Sequence, residues 1–242
     1  MSFSLRPFTD EGEWTGAILA QFEGAVKAAV NRQQKAFHAT VAGGGTPEPV
    51  YRVLAAAPSL AALSADILIH LWVGDEREVG VASPLRNGHM IAGIFMDGQA
   101  AMRWNLPPTL HLWPEGDRIA ACATYAREIE DTLGPNPAFD LAILGMGADG
   151  HTAGLFSLAD VADSAANPAH QTPARFTLST VAPSEPRLRM TMGASLLKRS
   201  LATMILVRGK EKAAILDVIL KGGEFPLSAA VNSDAVFFYL EE

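Results

Sequence analysis

Apolar positions along the chain follow two periods, and the places where the period switches mark its elements. Trp14, Ile18, Phe22 and Val26 recur at helical spacing behind Asp10, with Glu13 three positions on, so residues 10–33 predict a first helix capped by Asp10. FHATVAG, from Phe37, predicts a short strand, and residues 48–57 a helix with Pro47 at its first position and Thr46 as its cap. ILIHLWVG, from Ile67, is nearly all apolar, as a strand buried on both faces should be, and His70 within it reads as a core histidine. Ile119, Cys122, Tyr125 and Ile129 line one side of a helix over 118–133. Further strands are predicted at Phe139 to Leu144, from Ala174 (ARFTLSTVA), at TMILVR and at VFFYL, with a helix after TMILVR. Residues 91–117, with Trp104, Pro107, Pro108, Trp113 and Pro114, read as a loop around the short strand LHLW, and residues 157–173 as an irregular, alanine-rich excursion. Strands alternating with helices imply an α/β protein, a three-layer α/β/α sandwich on a mainly parallel sheet with right-handed crossovers.

Composition narrows the class. The 242 residues are 49% hydrophobic and 19% charged, enough for one large core and a single domain over 1–242. A net charge of -7 argues against nucleic acid or an anionic membrane surface as partner, since both recruit basic faces. One cysteine, Cys122, leaves no intrachain disulfide framework. Asp10, Glu11 and Glu13 stand where a secretory signal would be basic and then apolar, and no uncharged apolar run reaches about 18 residues. A soluble, cytoplasmic protein is expected.

The stretch FDLAILGMGADGHTAGLF carries the most chemistry. Its strand breaks into Gly145, Gly147 and Gly150, which let the backbone turn sharply or approach a ligand, and Asp149 and His151 are the titratable groups there. His151 is a candidate base. The three glycines also spell the dinucleotide fingerprint, but a proline- and alanine-rich stretch follows where that motif requires a helix and a second strand ending in an acid. A second glycine loop, Gly43-Gly44-Gly45-Thr46, runs from a strand into a helix N-terminus and makes either an anion cradle or a tight βα turn. It lacks the Walker A spacing. Asp75-Glu76-Arg77 ends another strand; such triplets are ordinarily solvated. All three segments follow strand ends, so parallel strands place them on one rim.

The glycine-histidine stretch resembles the signature LGMGxDGHTASLFP of the 6-phosphogluconolactonases, a superfamily shared with the glucosamine-6-phosphate deaminases. Gly154 replaces the usual serine and Ser157 the usual proline, departures that bear on loop shape. The resemblance extends to GGTP at Gly44 to Pro47 and to DERxVP at Asp75 to Gly80, where the proline is lost. It also covers the asparagine of SN at Asn87, whose serine is Arg86 here, and PPxRxTLT, which places Arg189 and Thr191. GxxKA places Lys212. It thus runs from about Gly43 to the C-terminus, with 91–117 and 157–173 unmatched.

The resemblance implies a Rossmann-like sheet and hydrolysis of 6-phospho-D-glucono-1,5-lactone in the oxidative pentose phosphate pathway. Gly43, Gly44, Gly45, Thr46, Arg77, Arg189 and Lys212 would hold the phosphate, with Asp75, Asn87 and Gly147 also lining the substrate. His151 would take a proton from water and return it to the ring oxygen, and Asp149 would set the imidazole tautomer. No metal or organic cofactor is implied, in keeping with the absence of G-x-S-x-G and of zinc-spaced histidines. The implied partner is the small phosphorylated lactone alone, bound by a monomer or weak homo-oligomer. The related deaminases carry glutamate five residues after the histidine, where Phe156 stands, and tyrosine after D-E, where Arg77 stands. A sugar-phosphate sensor without chemistry would have no need of the Asp149-Gly150-His151 triplet.

Overall fold

The computed structural model describes residues 3–166 and 176–242. In chain order the elements are β1 (Ser4–Phe8), α1 (Glu11–Asn31), β2 (Ala36–Val41), α2 (Glu48–Ala56), α3 (Pro58–Leu63), β3 (Leu68–Val73) and β4 (Asp75–Arg77). There follow α4 (Asn87–Phe95), α5 (Gly98–Ala101), β5 (Thr109–His111), α6 (Arg118–Leu133), β6 (Leu141–Gly145), α7 (Leu158–Ala166), β7 (Thr177–Val181) and β8 (Leu188–Met192). The chain closes with α8 (Ala194–Leu197), β9 (Thr203–Arg208), a 3₁₀ turn at Lys210–Lys212, α9 (Ala213–Leu220), α10 (Pro226–Ala230) and β10 (Val236–Leu240).

Seven strands form a parallel sheet in the order β1-β10-β9-β6-β2-β3-β5. Both its faces are covered along the inner strands, which explains why β6, β9 and β10 are almost wholly apolar and buried rather than alternating, whereas the edge strand β1 is largely exposed. On one face Phe22 of α1 meets Phe37 edge-on at 5.4 Å. The next residue, His38, points to the other face, where Trp72 of β3 packs against Tyr125 of α6. These are the two outer layers of an α/β/α sandwich. The cap expected at Asp10 forms, its side chain accepting from Glu13 N at 2.8 Å. The helix predicted over 118–133 spans those residues, capped by Asp117. Among the described residues no helix is long and apolar enough to cross a membrane.

Four expectations need correction. Thr46 does not cap α2: Pro47 already has helical angles and occupies the cap position without a side-chain bond. Residues 91–117 hold the predicted short strand, as the edge strand β5, but the expected loop around it contains most of α4 and all of α5. Residues 158–166 are helical, begun by a reciprocal cap in which Ser157 Oγ accepts from Asp160 N and Asp160 Oδ2 from Ser157 N. Residues 167–173 of that predicted excursion, and Ala174 at the start of the predicted strand, lie outside the described residues. Finally, Asp75–Arg77 is a strand of a second, antiparallel sheet, β4-β8-β7, and its central residue Glu76 is fully buried.

His70, read as a core histidine, is only half-buried, bonded to His111 by Nδ1 and Nε2 at 2.9 Å and adjacent to His38, whose Nδ1 accepts from Trp72 Nε1. Burial, seconded by His70, drives the pKa of His38 from 6.5 down to about 4, against the upward pull of Asp140; burial and His111 lower that of His70. The unfolded chain therefore takes these protons first, so stability is full above pH 6.5 and falls as the pH drops toward 4. For half-buried His38 the loss is about 2 kcal/mol after allowance for solvent screening. His38→Asn, which keeps an acceptor for Trp72, should flatten the pH dependence of the urea midpoint between pH 7 and 5. An unchanged slope would contradict this origin.

Candidate active site

A cleft of about 300 Å³ opens at the C-terminal rim of the parallel sheet, at the lower end of small-molecule sites. Its first wall is the loop after β2. Gly44 has φ +95, a conformation suited to glycine, and a Cβ on Gly43 would fall 2.0 Å from the Asn87 side chain. Glycine at 43 is thus required by the close approach of Asn87.

The second wall is the small antiparallel sheet. Strand alternation turns Asp75 and Arg77 to the cleft and Glu76 to the interior. Glu76 Oε1 accepts from Arg77 N and Asn87 N, and Oε2 from Gly88 N, at 2.8–2.9 Å. The carboxylate thereby caps α4 from a neighbouring strand and holds Asn87, its first residue, against the cleft. Arg86, itself buried, approaches Glu76 at 3.4 Å. Arg77 pairs with Arg189 across β4 and β8, and Asp75 with Thr191, so the register puts all four side chains on one face. Two cations directly opposite each other repel, and neither Arg77 nor Arg189 forms an ion pair with a described residue. Arg77 donates instead to Leu85 O. Burial, then Arg77, lowers the pKa of Arg189. Such a pair calls for an anion between its members.

The third wall is the loop after β6. Gly150 has φ +78, and the His151 imidazole lies so close over Gly147 that a Cβ there would meet the ring at 2.2 Å. His151 Nδ1 and Asp149 Oδ1 are 2.5 Å apart, and Asp149 also accepts from His151 N. Burial alone would raise the Asp149 pKa, but these bonds outweigh it and hold the carboxyl below its ordinary value. With Nδ1 engaged, Nε2 is left as the acceptor of a proton. The loop is clamped from the second wall: Gly154 N donates to Thr191 Oγ1 at 3.0 Å, and Thr180 Oγ1 to Gly154 O at 2.6 Å. A serine Cβ at 154 would stand 2.8 Å from Thr191 Cβ, which accounts for glycine at this position.

Gly43, Gly44, Gly45, Thr46, Asp75, Arg77, Asn87, Gly147, His151 and Arg189 all line this cleft. Asp149 stands behind His151. Lys212 is not on the cleft wall; it is half-buried at the N-cap of α9, its pKa lowered by burial against the pull of Glu211. Sequence reasoning missed Ala182, Pro183 and Ser184, in the turn between β7 and β8, as lining residues. It used Phe156 only as a point of comparison. The Phe156 ring packs on the imidazole at 4.8 Å.

The rim thus defines an α/β protein whose cleft sets an anion-seeking arginine pair against an imidazole–carboxylate pair. Residues 9–238 match the family described as glucosamine-6-phosphate isomerases/6-phosphogluconolactonase. The chain is 35% identical over 188 residues to the 6-phosphogluconolactonase of Thermotoga maritima, covering 77% of this chain and 76% of that one. With the Synechocystis enzyme of the same name it shares 34% over 188 residues, 74% and 69% of the two chains. A crystal structure of Thermotoga maritima 6-phosphogluconolactonase superimposes over the whole of both chains with a TM-score of 0.78 at 25% identity. The chain spans 29% of the human GDH/6PGL endoplasmic bifunctional protein, to which it is 28% identical over 239 residues. It belongs to the glucosamine-6-phosphate isomerase/6-phosphogluconolactonase family.

Proposed function

We propose that the chain hydrolyses 6-phospho-D-glucono-1,5-lactone to 6-phospho-D-gluconate, the second step of the oxidative pentose phosphate pathway, with His151 as the base that activates water. One observation carries this reading: a histidine held through Nδ1, its Nε2 bonded to no described residue, and a cross-strand arginine pair occupy two walls of the same cleft. The arginines and the Gly43–Thr46 loop would hold the phosphate, placing the lactone carbonyl toward His151. Asp149 keeps the proton on Nδ1 and stabilises the imidazolium formed when water is deprotonated. An aldonolactone is an activated ester, so a base and a few donors to the carbonyl oxygen suffice. Phe156 on the imidazole argues against the deaminase chemistry of the same family, because a phenyl ring cannot supply the carboxylate used there for ring opening.

Arg189→Ala should raise KM for the phosphorylated lactone about 10- to 100-fold, the worth of one or two charge-assisted hydrogen bonds, with kcat within about threefold. Arg77→Ala should act in the same direction. Hydrolysis of unphosphorylated gluconolactone should be unaffected by either. A fall in kcat at constant KM would remove the arginines from phosphate binding.

A further inference from the structure

Asp75 does not fit the phosphate-holding role that its neighbours fit. A carboxylate repels a phosphate, yet this one lines the cleft, half-buried. It is not there to neutralise an arginine, since it forms no ion pair with a described residue. Instead it is held by an amide: Asn87 Nδ2 donates to Asp75 O at 2.8 Å and to Asp75 Oδ2 at 3.2 Å. Asn87 does so at a cost, because its own Oδ1 is buried without a partner among the described residues, and an orphaned buried acceptor is destabilising. The other carboxylate oxygen of Asp75 accepts from none of the described residues.

The register locates this carboxylate relative to the base. Asp75 faces Thr191 across β4 and β8, and Thr191 Oγ1 accepts from Gly154 N, three residues beyond His151. Asp75 therefore stands on the wall next to the histidine loop. The charged and titratable groups that act on it are Glu76, behind it on the same strand, Arg77 further along that strand, Arg189 on β8, His151 on the loop after β6 and Tyr51 on α2. Burial, reinforced by Glu76 and opposed by Arg77, Arg189 and His151, raises its pKa from 3.8 to about 6. A carboxyl group in this range is both populated as the acid near neutrality and able to give its proton up.

We propose that Asp75 is the proton donor to the ring oxygen as the lactone opens, leaving His151 to act as base alone. The inference rests on the lactonase reading above. Water adds to the carbonyl carbon while its proton passes to His151 Nε2, giving a tetrahedral oxyanion. The bond from that carbon to the ring oxygen then breaks, and the ring oxygen takes the proton of the Asp75 carboxyl to become a hydroxyl. The product acid ionises, the imidazolium releases its proton to solvent, and the Asp75 carboxylate regains one from solvent. One water is consumed, and one carboxylate and one proton are formed. Two groups with separated tasks avoid the reorientation that a single imidazole would need between water and ring oxygen.

The test uses Asp75→Asn, which retains an acceptor for Asn87, on two substrates: the phosphorylated lactone and its analogue with sulfur in the ring. A thiolate leaves without protonation, whereas an alkoxide does not. The variant should lose about 10²-fold in kcat on the oxygen lactone and only a few-fold on the thiolactone. In the wild type, kcat on the oxygen lactone should fall as the pH rises above about 6, where Asp75 ionises, and this limb should vanish in Asp75→Asn. Equal losses on both substrates, or a falling limb that survives the substitution, would overturn the assignment and leave Asp75 a binding or structural group. A wild-type protein inert on the oxygen lactone would instead sink the lactonase reading itself.

Discussion

His151→Ala lowers kcat for 6-phosphogluconolactone on the order of 10³-fold, with KM within about threefold, as expected for loss of the group that takes the proton from water. The fold should survive the change, because the side chain is part-exposed at the rim and, among the described residues, hydrogen-bonds to Asp149 alone. Asp149→Asn should fall between the wild type and His151→Ala, since an amide can stabilise neither the required tautomer nor the imidazolium. Phosphate protection against thermal unfolding should persist in His151→Ala, separating binding from chemistry. A variant with wild-type kcat would show that water is activated elsewhere.

Glu76→Ala has the largest expected effect on stability. Its carboxylate is wholly buried and accepts three backbone N–H groups while facing the buried guanidinium of Arg86, which also donates to Trp113 O. Removing it strands a buried cation and uncaps α4, so the urea midpoint should drop by the equivalent of about 3–5 kcal/mol at an unchanged m-value. Glu76→Gln, which can still accept, should lose roughly half as much. Because the same carboxylate seats Asn87, and Asn87 holds Asp75, the glutamine variant should also lose kcat. A loss under about 1 kcal/mol in the alanine variant would mean that the network is not what anchors this wall.

The elements most legible in the sequence were those whose signals are local. Asp10 and Glu13 announced α1, and the apolar strands bounded by Gly43 to Gly45 and Gly145 to Gly150 announced the rim loops. The small sheet was not legible in this way. Strand β4 is three charged residues long, and what makes it a strand is its pairing with Arg189 and Thr191, more than a hundred positions away. Helix α4 begins without a local cap because Glu76 caps it from outside, so nothing at Arg86 or Asn87 marks its start. By contrast, Ser157 and Asp160 spelled a capping signal that the surrounding alanines and prolines obscured.

The site divides in the same way. The glycine loop itself marked His151, motif resemblance gave roles to Asp75, Arg77 and Arg189, and the structure gathers all four on one cleft. Neither periodicity nor spacing could show that Arg77 and Arg189 face each other, that Phe156 covers the imidazole, or that Lys212 stands off the cleft wall. The first depends on the register of a sheet that no local pattern marks, the second on the turn between Thr152 and Leu155, and the third on how the chain leaves β9.

The most direct measurement is the loss of 6-phosphogluconolactone, generated in situ, with and without the purified protein, beside unphosphorylated gluconolactone as control. Acceleration confined to the phosphorylated lactone is expected if the arginine pair and His151 work on one substrate. Decay at the spontaneous rate in the presence of protein would contradict the proposed function.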